Sequence, residues 1–198
     1  MSDQNREVRF NAVAPIEMRS DDETGEIRVV GYAAIFGEET AIGPLDSWGW
    51  GEVIERGAFT EALKRGDDVT FLVNHEGLPL ARTTSGTLSL TEDQRGLKVE
   101  TVLDGNDPDV KRILPKMARG DLSKMSFAFR SEKQEWDETG DYPVRTLKAV
   151  ELFDVSIVTN PAYEGTEIGL RSKDAAKAPN TAATVAKMQM RLRLAGAR

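Results

Sequence analysis

The chain has 198 residues, of which 39% are hydrophobic and 30% are charged, enough for one globular domain of ordinary size with tails. It has no cysteine, which excludes disulfides, thiolate catalysis and cysteine-rich zinc sites. A single histidine argues against a histidine-based zinc centre, so we expect no metal and no cofactor. The apolar runs are too short to span a bilayer and residues 1–10 lack the apolar core of a signal peptide, which predicts no membrane partner.

Charge is divided unevenly along the chain, whose formal net charge is −7. Residues 172–198 hold six basic residues and one acidic residue, a net +5, which leaves −12 for residues 1–171. We therefore predict a folded domain at 1–171 followed by a basic linker and C-terminal tail at 172–198. An acidic body also argues against nucleic acid as the main partner.

The first half of the chain predicts short strands separated by turns. Residues 6–36 alternate as a β-meander with a turn at 20–25, and residues 37–51 have the composition of a loop. Residues 57–64 have apolar side chains at helical spacing, and Gly66 ends that short helix.

The second half of the chain continues the pattern. Residues 84–90 and 96–103 predict a hairpin, and a helix begins at Asp107 with Pro108 in its first turn. Two further strands are predicted at 122–131 and 146–159. Many short strands, few helices and no βαβ alternation predict an α+β fold, a mostly antiparallel, closed or nearly closed β-barrel with peripheral helices.

His75 is the only histidine and ends the predicted strand 69–76, VTFLVNHE. Strict alternation gives it the same face as Phe71 and Val73. Imidazole is the side chain that accepts and returns a proton near neutral pH, so histidine-based acid–base chemistry would occur here. A single histidine at a strand end is, however, more often a solvated or hydrogen-bonded bystander.

Ser126 lies in a strand where its face offers only Ala128 and Arg130. Small side chains on one strand face leave room for a substrate to approach. A half-exposed edge position would tolerate serine equally well, so the serine alone does not indicate a site.

Asp154 interrupts an apolar strand face that alternation also assigns to Val150 and Leu152. A buried carboxylate is costly without a partner, and an imidazole would serve as that partner while the acid fixes its tautomer. Glu151, on the opposite face, is the alternative acid. Nucleophilic serine catalysis needs a hydroxyl, a base and an orienting acid. Ser126 would supply the hydroxyl, His75 the base and Asp154 the acid.

Four motifs resemble those of the prohead maturation proteases of tailed bacteriophages, the caudoviral prohead serine protease family. They are ERGAF (55–59), LVNHE (72–76), MSFAF (125–129) and DVSIVTNPAY (154–163). The last three are more distantly similar to blocks of the herpesvirus assemblins, in which a second histidine replaces the acid. The resemblance implies an assemblin-like β-barrel serine endopeptidase in which Ser126 is the nucleophile, His75 the general base and then acid, and Asp154 the orienting group.

The resemblance also implies where such an enzyme works. It would cut segments of the capsid scaffold and the major capsid protein, and finally itself, inside the immature capsid (prohead) in the bacterial host cytoplasm. It leaves open a homodimer or higher oligomer, and whether the tail docks on scaffold or is removed by self-cleavage. A catalytically inactive, capsid-associated scaffolding or interaction barrel is the alternative, which the retained histidine, serine and acid disfavour. An esterase is disfavoured because no G-x-S-x-G motif surrounds the serine.

The source of oxyanion stabilisation differs from that of the assemblins. The arginines that serve this role in assemblins fall where this chain has Ala162 and Tyr163. Backbone N–H groups near Ala162, or the side chains of Arg82 or Arg130, would therefore have to hold the developing negative charge, and we favour the backbone groups.

Overall fold

The computed structural model of the protein describes residues 6–11, 16–20 and 25–159. Within these residues there are eleven strands and two helices. In chain order they are β1 (Glu7–Asn11), β2 (Glu17–Ser20), β3 (Glu26–Ile35), β4 (Glu39–Ile42), β5 (Trp50–Ile54), α1 (Thr60–Arg65), β6 (Thr70–Val73), β7 (Glu76–Arg82), β8 (Leu88–Glu92), β9 (Gly96–Asp104), α2 (Pro108–Ala118), β10 (Lys124–Asp137) and β11 (Val144–Val158). The predicted tail at 172–198 lies outside the described residues, so the division at 171 stays a prediction.

A seven-stranded sheet is built around the two longest strands, β10 and β11, which pair antiparallel. β1 extends the sheet beyond β10. The fifteen residues of β11 provide enough edge for two strands end to end. β5 pairs parallel with its first part and β6 pairs parallel with its last part. β4 then pairs with β5, and β7 with β6, both antiparallel.

A second sheet has four antiparallel strands in the order β2-β3-β9-β8. The predicted hairpin is confirmed as the β8–β9 pair, which runs from Leu88 opposite Thr101 to Glu92 opposite Leu97. The predicted start of α2 is also confirmed, because the Asp107 side chain accepts a hydrogen bond of 2.7 Å from the N–H of Asp109.

The apolar core consists of buried side chains from both sheets and the two helices. Four phenylalanines stand out by size, and all are almost fully buried: Phe59, Phe71, Phe127 and Phe129. Phe127 packs edge-on against Phe59 at 5.5 Å and stacks on Phe129 at 5.0 Å, measured between ring centroids. This core packs on one face of β10 and β11, and Ser126, next to Phe127, points to the opposite face.

The predicted α+β fold with a closed or nearly closed barrel is wrong. The described part of the chain is mostly β, with two helices, and its two sheets are open. A barrel closes only when the first and last strands of one sheet pair with each other. Here β3 and β9 pair only within the four-stranded sheet, and β1 and β4 remain at opposite ends of the other. The sequence pattern predicted many of the strands but not their partners. The predicted loop at 37–51 is wrong, because it contains β4 and the start of β5.

None of the helices in the described ranges has the length and apolar character that crossing a membrane requires.

Candidate active site

His75 lies in the turn of the β6–β7 hairpin, not at the end of a strand. Val73 pairs with Glu76, so Asn74 and His75 form a two-residue loop, and their φ angles are +54° and +62°. Positive φ at both positions is what a type I′ turn requires, and histidine adopts it only at a conformational cost. The predicted shared face with Phe71 is therefore wrong, because the chain leaves the strand alternation at Asn74.

Three hydrogen bonds hold this turn against the end of β11. The N–H of Asn74 donates to the carbonyl of Ile157 at 2.9 Å, and the Asn74 side chain accepts from the N–H of Thr159 at 3.1 Å. The N–H of His75 donates to Oγ of Ser156 at 3.1 Å. The imidazole is thereby fixed relative to the strand that carries Asp154.

Ser126 lies on β10 in the middle of the seven-stranded sheet, opposite Ser156 on β11 and Phe10 on β1. Because residues directly opposite in a sheet point to the same face, these side chains lie together. Ser126 is fully buried, so neither the predicted open face nor the half-exposed edge position describes it.

Asp154 lies on the same face as Ser126, and a β-bulge separates it from Leu152. Ala128 pairs with Asp154, but the next residue, Phe129, pairs with Leu152, which leaves Phe153 as the extra residue. Neighbouring residues of β10 point to opposite faces, so Asp154 and Leu152 do too, and their predicted common face is wrong. Leu152 joins the apolar core, whereas the carboxylate of Asp154 lies on the opposite face with Ser126 and His75.

The structure brings the three predicted side chains into one hydrogen-bonded series. Nε2 of His75 is 2.5 Å from Oγ of Ser126, and Nδ1 of the same ring is 2.5 Å from Oδ1 of Asp154. Asp154 is 2% exposed, and the His75 side chain is 12% exposed. A carboxylate at Nδ1 favours the tautomer that carries its proton there, which leaves Nε2 free to accept a proton from the hydroxyl.

Ser156 belongs to this site and was missed by the sequence reasoning. Its hydroxyl donates to Oδ1 of Asp154 at 3.0 Å and accepts from the N–H of His75. The available signal was two polar residues spaced i, i+2 in the otherwise apolar stretch 152–158. This spacing puts both on one face of β11, and the buried hydroxyl ties the acid to the backbone of the turn.

Neighbouring polar groups stabilise the ionised form of Asp154. Burial raises the pKa of its carboxyl group, but the hydrogen bond and charge of His75, the charge of Arg6 and the hydrogen bond from Ser156 outweigh burial. The pKa of Asp154 therefore lies below its ordinary value. A guanidinium nitrogen of Arg6 binds Oδ2, the oxygen that His75 leaves free. The acid is thus ionised at neutral pH and oriented by both oxygens.

The N-terminal strand β1 covers the site. The carbonyl oxygen of Arg9 accepts a hydrogen bond of 2.9 Å from Oγ of Ser126. The ring of Phe10 packs edge-on against the imidazole of His75 at 6.2 Å between centroids. Together with Arg6, β1 therefore contacts the acid, the imidazole and the hydroxyl.

The other predicted candidates have different partners. Glu151 and Arg130 pair with each other at 2.5 Å, and Arg82 binds Asp68, with 2.8 Å between Nε and a carboxylate oxygen. Among the described residues, neither the alternative acid nor the two arginines bond to His75, Ser126 or Asp154. Ala162 and Tyr163 lie outside the described residues. No three His, Cys, Asp or Glu side chains in the described ranges are grouped as metal ligands.

The site can perform general-base-assisted nucleophilic chemistry. A hydroxyl at hydrogen-bond distance from an imidazole, itself oriented by a carboxylate, has the geometry of an activated nucleophile. The sequence matches the family described as caudovirus prohead serine protease over residues 14–180, which spans all three side chains. No curated protein and no solved structure matches the chain.

Proposed function

This chain belongs to the caudovirus prohead serine protease family, and from that premise we propose that Ser126, His75 and Asp154 are the catalytic triad of a serine endopeptidase. The family is one of serine peptidases that act in capsid maturation. The observation that carries the assignment of residues is the continuous series from carboxylate to imidazole to hydroxyl, with both contacts at 2.5 Å.

In the first half of the reaction, Nε2 of His75 takes the hydroxyl proton while Oγ of Ser126 attacks the carbonyl carbon of the scissile peptide bond. The carbonyl electrons move to oxygen and form a tetrahedral oxyanion. As it collapses, the C–N bond breaks and Nε2 gives its proton to the leaving amine. The product is an acyl-enzyme and a free amino terminus.

In the second half, Nε2 takes a proton from water, whose oxygen attacks the acyl carbon. Collapse of the second tetrahedral species releases the carboxylate product, and the proton returns to Oγ of Ser126. Throughout, Oδ1 of Asp154 accepts the hydrogen bond from Nδ1 and stabilises the imidazolium that forms in each half-reaction. In the structure, before substrate binds, Arg6 holds Oδ2 of the same carboxylate.

The substrates we propose are segments of the capsid scaffold and the major capsid protein, followed by the protease itself. The enzyme would cut them inside the immature capsid, in the cytoplasm of the bacterial host. The family description supports a prohead location and action on capsid proteins, and the particular segments are the proposal.

The test compares purified wild-type chain with Ser126→Ala and Ser131→Ala, each incubated with scaffold and major capsid protein. Ser131 is the matched control because it lies on the same strand but pairs with Val150, beyond the bulge. Mass spectrometry of all protein termini should show new termini with wild type and Ser131→Ala and none with Ser126→Ala. Undiminished cleavage by Ser126→Ala would refute the assignment.

A further inference from the structure

We propose that the edge of β10 at Ser126 is the binding cleft for an extended substrate peptide, and that β1 of this chain occupies it as a built-in stand-in for substrate. This inference rests on the proposed function and deepens it by naming the substrate conformation and the occupant. It starts from a conflict in the site: the nucleophile is in place, but it is fully buried and no peptide can reach it.

The cover has the form of a bound peptide. β1 adds to β10 antiparallel, with Glu7 opposite Phe129 and Asn11 opposite Met125, so Ser126 lies within the paired stretch. Adding a strand to an exposed sheet edge is a common way for proteins to hold extended peptides. A substrate that used the same backbone groups of β10 could bind only after β1 had left.

The cover also holds the nucleophile in an unproductive state. Ser126 has one hydroxyl proton and two acceptors for it, Nε2 of His75 and the carbonyl oxygen of Arg9. A proton given to Arg9 is not given to the base. The hydrogen bond further directs the oxygen of that carbonyl at Oγ, whereas hydrolysis needs the carbon there. β1 therefore resembles an inhibitor more than a substrate in mid-reaction.

A buried cluster of four charges anchors β1 to the rest of the fold. Arg9 bonds to Glu7 at 2.7 Å and to Glu52 at 2.5 and 2.9 Å, and Arg145 bonds to Glu7 at 2.6 and 2.8 Å. Arg145 also bonds to Glu52 at 3.1 Å. The cluster thus divides into two neutral pairs, one on β1 and one on β5 and β11.

Departure of β1 leaves no net charge behind in this cluster. Glu52 and Arg145 keep each other as partners, which avoids the large penalty of an uncompensated buried charge. A substrate that repeats the pattern of Glu7 and Arg9, with an acid two residues before a base on one strand face, would restore the three ion pairs that β1 makes. We therefore infer a preference for extended peptides with this acid–base spacing.

The family match supports a separate role for β1. It begins at residue 14, after β1 has ended at Asn11, whereas β10 and β11 lie within it. β1 is thus outside the matched stretch, although β1 and the preceding Arg6 together contact the hydroxyl, the imidazole and the carboxylate.

A reversible disulfide between β1 and β10 tests, in the full chain, whether β1 covers the site. Val8 and Ala128 lie opposite each other on β1 and β10, and the chain has no other cysteine to interfere with a Val8→Cys/Ala128→Cys variant. Oxidation to the disulfide should lower cleavage of capsid proteins by about tenfold or more, and reduction should restore it. The control is Ser89→Cys/Glu100→Cys, an opposite pair in the other sheet, which should cleave equally in both states. Equal cleavage by the oxidised and reduced forms of the β1–β10 variant overturns the proposal.

A second measurement does not depend on peptide hydrolysis. In Ser126→Cys, the single thiol reports exposure of position 126 to iodoacetamide. Adding Glu7→Ala/Arg9→Ala removes one neutral pair from the anchor and should raise the labelling rate by about tenfold or more. Ala33→Cys, fully buried on β3, should stay unreactive in the same background. An unchanged rate at position 126, or a parallel rise at position 33, overturns the proposal.

The loosened chain also tests the peptide preference. A synthetic peptide of residues 6–11, REVRFN, should protect the thiol at position 126 again. A peptide with the acid and the second arginine exchanged, RRVEFN, should protect it less, and equal protection refutes the acid–base preference. The two proposals can fail separately: absence of new termini from every form refutes the peptidase, and an unreactive thiol in the loosened chain refutes the cover.

Discussion

Asp154 binds three polar partners, the imidazole of His75, the hydroxyl of Ser156 and the guanidinium of Arg6. Asp154→Asn keeps the size of the side chain but removes the charge, and its amide nitrogen would favour the wrong imidazole tautomer. We expect kcat to fall by about 10³- to 10⁴-fold with the fold retained. Glu151→Gln, which changes the alternative acid on the same strand, should leave kcat unchanged. Comparable losses in the two variants would contradict the role of Asp154.

Ser156 bonds to the acid and to the backbone of the turn, so we expect it to act through these groups and not on the substrate. Ser156→Ala removes a hydrogen bond that lowers the pKa of Asp154, so that pKa should rise, and kcat should fall by about tenfold at constant KM. Ser156→Thr, which keeps the hydroxyl, should recover most of the loss. A change in KM alone would contradict a positioning role.

The loss of stability in Ser156→Ala should depend on pH. Because the folded-state pKa of Asp154 is lowered, its contribution to stability is complete above the unfolded value of about 3.9 and is lost as pH falls through the folded value. Ser156→Ala reduces this contribution. The difference in unfolding free energy between wild type and variant should therefore be largest above about pH 4 and narrow in more acidic urea titrations. A difference that widens toward low pH would contradict the sign.

At the scale of secondary-structure elements, the β6–β7 turn determines the position of the His75 imidazole. Asn74→Ala and Asn74→Gly both remove the side-chain acceptor of the Thr159 N–H, but only glycine adopts positive φ without cost. We expect the alanine variant to be less stable by about 1–2 kcal/mol and to cleave more slowly. Urea unfolding of the two variants measures the difference. Equal stability would show that the turn is not strained.

The elements also show what the sequence could and could not predict. Turn and cap chemistry is local, so the hairpin of β8 and β9 and the start of α2 at Asp107 were readable from a few residues. The position of His75 could not be predicted in this way, because the alternating pattern in the sequence does not show that the chain turns at Asn74. The bulge at Phe153 could not be predicted either, because an extra residue in one strand is recognised only by comparison with the partner strand.

At the scale of the whole molecule, the buried charges join three strands that are distant in sequence. Glu52→Gln leaves two buried arginines facing one carboxylate and should lower the unfolding free energy by about 3–5 kcal/mol. Glu55→Gln changes a half-exposed acid three residues later, whose contact with a lysine is 3.6 Å long. This change should lower the unfolding free energy by less than about 0.5 kcal/mol. Urea titration of both variants measures this. Similar small shifts would show that the cluster does not hold β1.

The whole-molecule arrangement was the least predictable part. The identities of the hydroxyl, imidazole and carboxylate side chains followed from motif and chemistry, yet the cover on Ser126 depends on strand partners 117 residues apart. The same holds for sheet closure, which no local pattern encodes. Arg6 and Ser156 were overlooked because their importance lies only in what they touch.

The sequence separation of the site has a consequence for biosynthesis. β1 leaves the ribosome before its partner strand and before the carboxylate that Arg6 binds, which lies 148 residues further along the chain. Until β10 and β11 emerge, the nascent chain therefore holds β1 without its partner strand and has no nucleophile. Once they emerge, the same chain supplies the base and the strand that covers the serine, so a newly made molecule cleaves only when β1 leaves β10.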